Sequence, residues 1–256
     1  MARARKHLEG DDERLKYAAL ELRLSMEALT YDRASAYKDE FPPTEYETWQ
    51  PRKVMAILLE IDTAADKDST ISYGIESTPG QPADEMTMLG TEIVLNMVTL
   101  RRHYDALGSF LHMPTLKQTK TGNAHDAVKL RNRCAEIAEY IEKVLASPVH
   151  NVTLGSFAII TCEECGERIR KRMSPGIDTV EAECFSCKAS YIITDVGGGQ
   201  VKWEPRIHEI ACGNKDCGHK IQIWQREVAF GVTWTCPVCA GRNTIAYGIK
   251  HEGSAT

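Results

Sequence analysis

Eight of the nine cysteines fall into two quartets with closely similar spacing in the C-terminal part of this 256-residue chain. The quartets are Cys162, Cys165, Cys184 and Cys187, followed by Cys212, Cys217, Cys236 and Cys239. Within each quartet, 18 residues separate two cysteine pairs that each span a short turn. Two cysteines on a tight turn can direct both sulfurs at one ion, and a second turn returned by a β-hairpin completes a tetrahedron. The spacing therefore predicts two zinc sites with four thiolate ligands each.

The quartets are also part of an internal repeat, which supports the metal-site prediction. A five-residue run beginning at Cys165 resembles one beginning at Cys217, and glycines at 166 and 218 follow these cysteines, where a turn needs a permissive backbone. Disulfides would need an export signal, whereas iron in a rubredoxin-like site would use the same four sulfurs. We favour zinc, bound in two closed sites. The expected role of each site is structural, because modules as small as these bury too little apolar surface to fold without a metal.

The first 147 residues show a helical pattern, in which apolar residues recur every three or four positions. Four helices are predicted, at about 11–37, from Pro51 onwards, at 83–111 and at 124–146, with a short β-like run at 70–73. Ser147 and Pro148 end this pattern, and short β-branched runs follow. The expected fold is α+β and multidomain, with an all-α helical bundle at 1–147 and small β zinc ribbons at 155–200 and 205–252.

The charge balance argues against non-specific binding of nucleic acid through a generally basic surface. The chain has 31 lysines and arginines against 36 aspartates and glutamates, a formal net charge of -5, so strong non-specific DNA binding is not expected but a local basic patch is compatible.

No apolar stretch approaches the ~20 residues of a membrane span, and no apolar region follows the basic start as in a signal peptide. We expect a cytoplasmic protein with no membrane partner. The ninth cysteine, Cys134, is expected to pack in the helical core.

A local basic patch is predicted after the first pair of cysteines. Arg168, Arg170 and Arg172 alternate with Ile169 and Lys171, so in a strand the three arginines would share one face. The matching part of the second module contains Lys220 and Trp224. Basic side chains and an aromatic ring can hold phosphates and stack a base, so RNA or DNA is one predicted partner. The alternative is a solvated ribbon face with Trp224 packed against the neighbouring module.

No phosphate-binding loop, nucleophile elbow or zinc-protease histidine pair occurs in the sequence. The segment 15–33, the helix ending at 104–112 and the final helix with Arg131-Asn132 resemble the HEPN superfamily over about residues 10–146. That resemblance implies an all-helical domain of prokaryotic antiviral defence systems, which pairs as a homodimer and in many members is a metal-independent endoribonuclease. Its signature is an arginine followed, after four to six residues, by a histidine. Arg131 and Asn132 match the start as candidate catalytic residues, but Glu136 stands where the histidine is expected.

Two functional hypotheses follow from these observations. In the first, the chain is a zinc-binding defence or regulatory protein that acts on or senses nucleic acid, and cleavage of RNA by a divergent RNase is one form of that action. In the second, the ribbons form a non-catalytic adaptor that docks a protein partner. Arg168, Arg170, Arg172 and Lys220 on one exposed face would favour the first, and apolar residues around Trp224 would favour the second.

Overall fold

The computed structural model describes residues 1–47, 50–78, 80–113, 116, 120 and 126–247. The chain folds as two compact units, Met1–Leu154 and Gly155–Thr256. The first unit contains helices and one β-hairpin, and the second contains antiparallel strands with the two cysteine quartets. The α+β class and the tandem zinc ribbons predicted from the sequence are therefore confirmed.

Five α-helices of the first unit have bounds within its described residues. They are α1 (Ala2–Leu8), α2 (Leu15–Ala36), α3 (Pro51–Ile61), α4 (Met97–Leu111) and α5 (Ala127–Leu145). The predicted start of α3 at Pro51 is confirmed. Asp126 caps α5 by accepting a hydrogen bond from the Lys129 amide at 3.0 Å, and the predicted start at residue 124 lies outside the described residues. The short α1 was not predicted.

The prediction of one helix over 83–111 is wrong in its first part, and so is the prediction of an all-α first domain. Residues Thr87–Glu92 form strand β2, which pairs antiparallel with β1 (Ser69–Tyr73) and so confirms the β-like run at 70–73. Gly90, which falls inside the predicted helix, lies against Pro148, and a Cβ there would be 2.4 Å from the proline Cγ. Helix α4 begins only at Met97, where Asn96 accepts a hydrogen bond from the Thr99 amide at 2.7 Å.

The core of the first unit forms around α2, which packs against each of the other four helices. Apolar side chains at the helical period from these helices are fully buried, among them Leu22, Met26, Leu58, Leu100, Leu107, Ile137 and Ile141. Cys134 of α5 is buried in this cluster, which confirms its predicted role in packing, and burial raises the pKa of its thiol to about 11. A neutral, enclosed thiol of this kind packs like a small apolar side chain.

Between residues 155 and 247 the second unit contains four small antiparallel sheets. Its strands are β3 (Ser156–Thr161), β4 (Arg168–Met173), β5 (Thr179–Glu183), β6 (Ser190–Gly197), β7 (Gln200–Pro205), β8 (Ile207–Ala211), β9 (Lys220–Trp224), β10 (Thr233–Thr235) and β11 (Arg242–Thr244). They pair as β3–β4, β5–β6–β7, β8–β9 and β10–β11. The glycine run 197–199 forms the tight turn between β6 and β7, where all three residues have positive φ. Each ribbon thus uses two hairpins whose turns carry its cysteines.

Candidate metal centres and neighbouring surfaces

Each cysteine pair lies in the turn of one hairpin. The first quartet occupies the β3–β4 and β5–β6 turns, and the second occupies the β8–β9 and β10–β11 turns. The residue after each pair has a positive φ, namely Gly166, Lys188, Gly218 and Ala240. A left-handed conformation costs a non-glycine residue about 1 kcal/mol. Lys188 and Ala240 adopt it without being glycine, and the backbone amide of each closes its turn by donating to the carbonyl of Cys184 or Cys236, at 2.8 Å and 2.9 Å.

The hairpins bring the four sulfurs of each quartet together. In the first centre Cys162 Sγ lies 3.6 Å from Cys187 Sγ, and Cys165 Sγ lies 3.5 Å from Cys184 Sγ. In the second centre the corresponding distances, from Cys212 to Cys239 and from Cys217 to Cys236, are both 3.7 Å. All four ligand atoms of each centre lie within 4.8 Å of one another.

These sulfur–sulfur distances fit four ligands around a tetrahedral metal ion, and they are too long for a disulfide bond. A disulfide would hold two sulfurs at about 2.05 Å, well below the 3.5 Å of the shortest pair here. Four sulfurs at about 2.3 Å from a zinc ion form a tetrahedron with edges of roughly 3.8 Å. The two centres therefore match structural zinc sites, as the spacing predicted. Because four protein sulfurs complete each tetrahedron, neither centre leaves a ligand position for a catalytic water.

The ionisation of the thiols also fits a bound cation. Desolvation raises the pKa of Cys162, but hydrogen bonds from the Tyr191 hydroxyl and from backbone amides outweigh it and lower that pKa to about 6. In Cys165 a backbone hydrogen bond lowers the pKa, but desolvation and the neighbouring cysteines raise it to about 12. Four sulfurs this close cannot all become thiolates in the absence of positive charge. A divalent ion removes this conflict and deprotonates its thiol ligands.

Other side chains hold the ligands in place. The Tyr191 hydroxyl donates to Cys162 Sγ at 3.3 Å and accepts from the Glu163 amide at 2.9 Å. In the second centre the Asn243 side-chain oxygen accepts from the Gly213 amide at 2.7 Å. Spacing rules for cysteines do not reveal such contacts, because Tyr191 and Asn243 reach the ligands only through the fold.

The predicted basic residues of the first ribbon lie on β4, and its pairing with β3 determines their face. Arg168, Arg170 and Arg172 share one face, opposite Thr161, Ile159 and Phe157 in register. The guanidinium carbons of Arg170 and Arg172 lie 3.7 Å and 4.7 Å from the centre of the Phe157 ring. Arg168 is exposed, Arg170 and Lys171 are half-buried and Arg172 is buried. The three arginines and Phe157 are referred to below as the arginine face.

The other two predicted contacts, Lys220 and Trp224, do not join this face. Lys220 lies on β9, where it forms an ion pair with Glu209 at 2.6 Å. Trp224 is half-buried and packs edge-on against Tyr191 of the first ribbon, with ring centres 5.6 Å apart. Of the two roles considered for Trp224, the contacts match packing against the neighbouring module.

Arg131 and Asn132, the candidate catalytic residues, lie on α5 of the first unit. The Arg131 guanidinium donates to the backbone carbonyls of Leu8 and Gly10 and pairs with Asp12 at 2.8 Å. It therefore joins α5 to the turn that follows α1, a structural role. Asn132 is exposed. Glu136 pairs with Arg102 at 3.2 Å rather than with Arg131.

A buried charged cluster in the first unit has no sequence signature. Arg33 of α2 and Glu92 of β2 form an ion pair at 3.2 Å, and both side chains are more than nine-tenths buried. Glu92 also accepts hydrogen bonds from the backbone amides of Asn151 and Val152. Arg33 donates to the Ala65 carbonyl at 3.1 Å. This cluster joins a helix, a strand and the final segment of the unit.

Comparison with known proteins adds no assignment, since no protein-family profile, curated protein or solved structure matches this chain. Across the part of the chain that the structure describes, no helix is both long enough and apolar enough to cross a membrane. Function is therefore inferred from the metal centres and from the surfaces beside them.

Proposed function

We propose that this protein is a zinc-ribbon protein that binds nucleic acid through the arginine face of its first ribbon and pairs with a second copy through its helical unit. The observation that carries the proposal is the arrangement of Arg168, Arg170 and Arg172 on one side of the β3–β4 hairpin. Thr161, Ile159 and Phe157 stand opposite the three arginines in register.

The arginine face has the chemistry that single-stranded nucleic acid requires. Guanidinium groups bind phosphate oxygens with two parallel hydrogen bonds, and a guanidinium stacked on an aromatic ring is held in a defined plane. Phe157 orients Arg170 and Arg172 in this way, while Arg168 and Ile159 are exposed at the same face. Phosphates would bind Arg168 and Arg170, and an unpaired base could stack at the apolar surface of Ile159.

Replacing both Arg168 and Arg170 with glutamine should weaken binding of a fluorescent single-stranded 20-mer RNA or DNA by about 10- to 100-fold at low salt. The slope of log affinity against log salt should fall by roughly 0.7 for each phosphate that the variant no longer neutralises. Fluorescence anisotropy across a salt series measures both quantities. The matched control is the Lys202→Gln, Lys220→Gln double variant, which removes the same charge from exposed lysines that pair with Glu204 and Glu209.

An equal loss of affinity in the control would contradict the proposal, because it would show a general charge effect. The same RNA samples, run on a denaturing gel beside an Arg131→Ala variant, test the divergent endoribonuclease hypothesis. RNA cleaved by the wild type and spared by this variant would extend the proposed function to catalysis, whereas intact RNA would limit it to binding.

A protein-docking adaptor is the second candidate function, and exposed apolar side chains on the second ribbon favour it. Phe230 and Tyr247 stack with ring centres 5.4 Å apart, yet they are 66% and 86% exposed. Val238 of the last cysteine turn is also 66% exposed. Exposed aromatic residues of this kind are typical of protein interfaces. A wild-type protein that binds neither RNA nor DNA at low salt would make this candidate the leading one.

For the helical unit we propose a HEPN-like homodimer in a prokaryotic defence or regulatory protein. Helix α2 has a second apolar stripe opposite its buried one, formed by Tyr17, Leu20, Leu24, Ala28 and the half-buried Tyr31. The stripe is symmetric about Leu24, so an antiparallel copy of α2 would place each tyrosine against the other and Leu20 against Ala28. A two-fold interface requires this kind of self-complementary surface.

The Leu24→Glu variant should convert the dimer to a monomer, because it places two carboxylates against each other on the two-fold axis. Like charges at an interface cost several kcal/mol, so the dissociation constant should rise by about 100-fold or more. Light scattering after size-exclusion chromatography measures the mass. The control is Val98→Glu, which adds the same charge at a position of α4 that is 75% exposed. A wild-type protein that is monomeric at high concentration would contradict this part of the proposal.

A further inference from the structure

The first zinc centre is contacted by residues of the second ribbon. Arg226, in the 3-10 helix that follows β9, forms an ion pair with Glu164 in the turn between the first two cysteine ligands. Its other terminal nitrogen lies 3.9 Å from Cys187 Sγ in the second turn of the same centre. One guanidinium group of the second ribbon therefore spans both turns that supply the first zinc centre with its ligands.

A second contact reinforces this arrangement. Trp224, two residues before Arg226, packs against Tyr191 and belongs to the apolar cluster of the first ribbon. The Tyr191 hydroxyl in turn donates to Cys162 Sγ at 3.3 Å. The Arg226 guanidinium lies 5.4 Å from the Trp224 ring centre, so the indole and the guanidinium approach the centre together. Through these two side chains the second ribbon reaches a ligand on each turn of the first centre, Cys187 directly from Arg226 and Cys162 by way of Tyr191.

The two zinc centres differ in which ribbon supplies the side chains that contact their ligand turns. A zinc ion with four thiolates has a net charge of about -2, which a nearby guanidinium partly neutralises. Arg226 does this for the first centre, whereas at the second centre Asn243, which accepts from the Gly213 amide and from Cys212 Sγ, belongs to the second ribbon itself. Since Arg226 follows β9 directly, its position depends on the fold of the second ribbon.

We propose that Arg226 is a positioning residue of the first zinc centre, supplied by the second ribbon, and that an intact second ribbon slows the release of zinc from the first. The proposal rests on the two zinc centres and is independent of whether nucleic acid binds the arginine face. Loss of a side chain that contacts metal ligands in this way typically lowers metal affinity by about 10- to 100-fold.

The test measures zinc release from the full-length protein to an excess of a metallochromic chelator. Arg226→Gln should release zinc from the first centre about 10-fold faster than the wild type and leave release from the second centre unchanged. The Cys239→Ser variant, which disables the second centre, assigns the kinetic phases and should itself accelerate release from the first centre. Lys220→Gln removes the same charge from an exposed ion pair of the second ribbon with Glu209 and should change neither phase.

A spectroscopic measurement separates this role from general loosening of the unit. In cobalt-substituted protein, Arg226→Gln should shift the thiolate-to-cobalt absorption of the first centre, because the sulfur of Cys187 loses a donor. Arg226→Lys keeps the positive charge but has one terminal nitrogen where the guanidinium has two, so it cannot contact Glu164 and Cys187 in the same way. This variant should therefore restore slow release only in part. Unchanged release and absorption in Arg226→Gln would overturn the proposal. Equal acceleration at both centres would also overturn it, because that result indicates unfolding of the whole unit.

Discussion

Removing zinc with a strong chelator should unfold the unit Gly155–Thr256 while the helical unit stays folded. Structural zinc in four-thiolate sites contributes an apparent binding free energy on the order of 10–16 kcal/mol, which is also folding free energy. That exceeds the roughly 5–15 kcal/mol by which a typical domain is stable, so the ribbons should not remain folded without the metal.

The small size of the apolar core is the physical reason. In the described part of the second ribbon, from residue 205 to 247, only Cys236 and Asn243 are buried. The first ribbon has a buried cluster, but Cys162 and Cys184 are members of it. With so little apolar burial, the metal must offset most of the conformational entropy that the chain loses on folding.

Circular dichroism at 222 nm together with tryptophan fluorescence can distinguish the two units. The helical signal should persist after chelation, whereas tryptophan emission should shift to longer wavelength, because three of the four tryptophans, Trp203, Trp224 and Trp234, lie in the second unit and only Trp49 lies in the first. Cys184→Ser should lose one zinc ion and give a similar shift at the first ribbon. Cys134→Ala, which removes the one cysteine of the helical unit, should retain two zinc ions per chain by elemental analysis.

A metal content near zero in the purified wild-type protein, or an unchanged fluorescence spectrum after chelation, would contradict this prediction. Loss of the helical signal along with the ribbon signal would show instead that the two units unfold together. Either result would be clear, because the expected change is much larger than the effect of a single buried side chain.

The zinc ligands could be predicted because the relevant geometry is local. Two cysteines on one turn and a permissive residue after them are all within a few positions of each other, as with Cys165 and Gly166 or Cys217 and Gly218. Helices α2, α3 and α5 could be predicted for a similar reason, because their apolar period of three to four residues shows directly in the sequence.

Strand β2 could not be predicted because its conformation depends on a distant partner. Its residues include methionine, leucine and glutamate, which favour helices, and they continue the spacing of the helix that follows. Pairing with β1, about twenty residues earlier, and the close approach of Gly90 to Pro148 determine the strand instead. Tertiary contacts commonly override local propensity in this way.

The tertiary contacts made by the first zinc centre and by the side chains of the arginine face could not be predicted, for the same reason. Arg226 and Glu164 are separated by 62 positions, and no spacing rule connects them. The alternation of Arg168, Arg170 and Arg172 did predict one shared face, which the pairing of β4 with β3 confirms. The burial of Arg172 and the ion pair of Lys220 with Glu209 appear only once the strands are paired.

Glu92→Met should be the most destabilising single substitution among the charged residues of the helical unit, at about 3–5 kcal/mol. It leaves Arg33 charged and buried with no carboxylate to neutralise it, and that cost is typical when one partner of a buried ion pair is removed. The Glu92 carboxylate also accepts from the amides of Asn151 and Val152. Those two part-buried donors would be left without their acceptor, and each loss adds to the cost.

Denaturant unfolding followed at 222 nm measures this effect, with Asp105→Asn as the matched control. Asp105 forms an ion pair with Arg52 at 2.8 Å, but both side chains are about half exposed, so its loss should cost less than about 1 kcal/mol. In the Arg33→Met, Glu92→Met double variant no buried charge is left unpaired. Its stability should therefore exceed that of Glu92→Met, yet stay below the wild type because the Asn151 and Val152 amides still lack an acceptor. A Glu92→Met variant no less stable than Asp105→Asn would show that the pair contributes little, and that the final segment of the unit is held in place by other contacts.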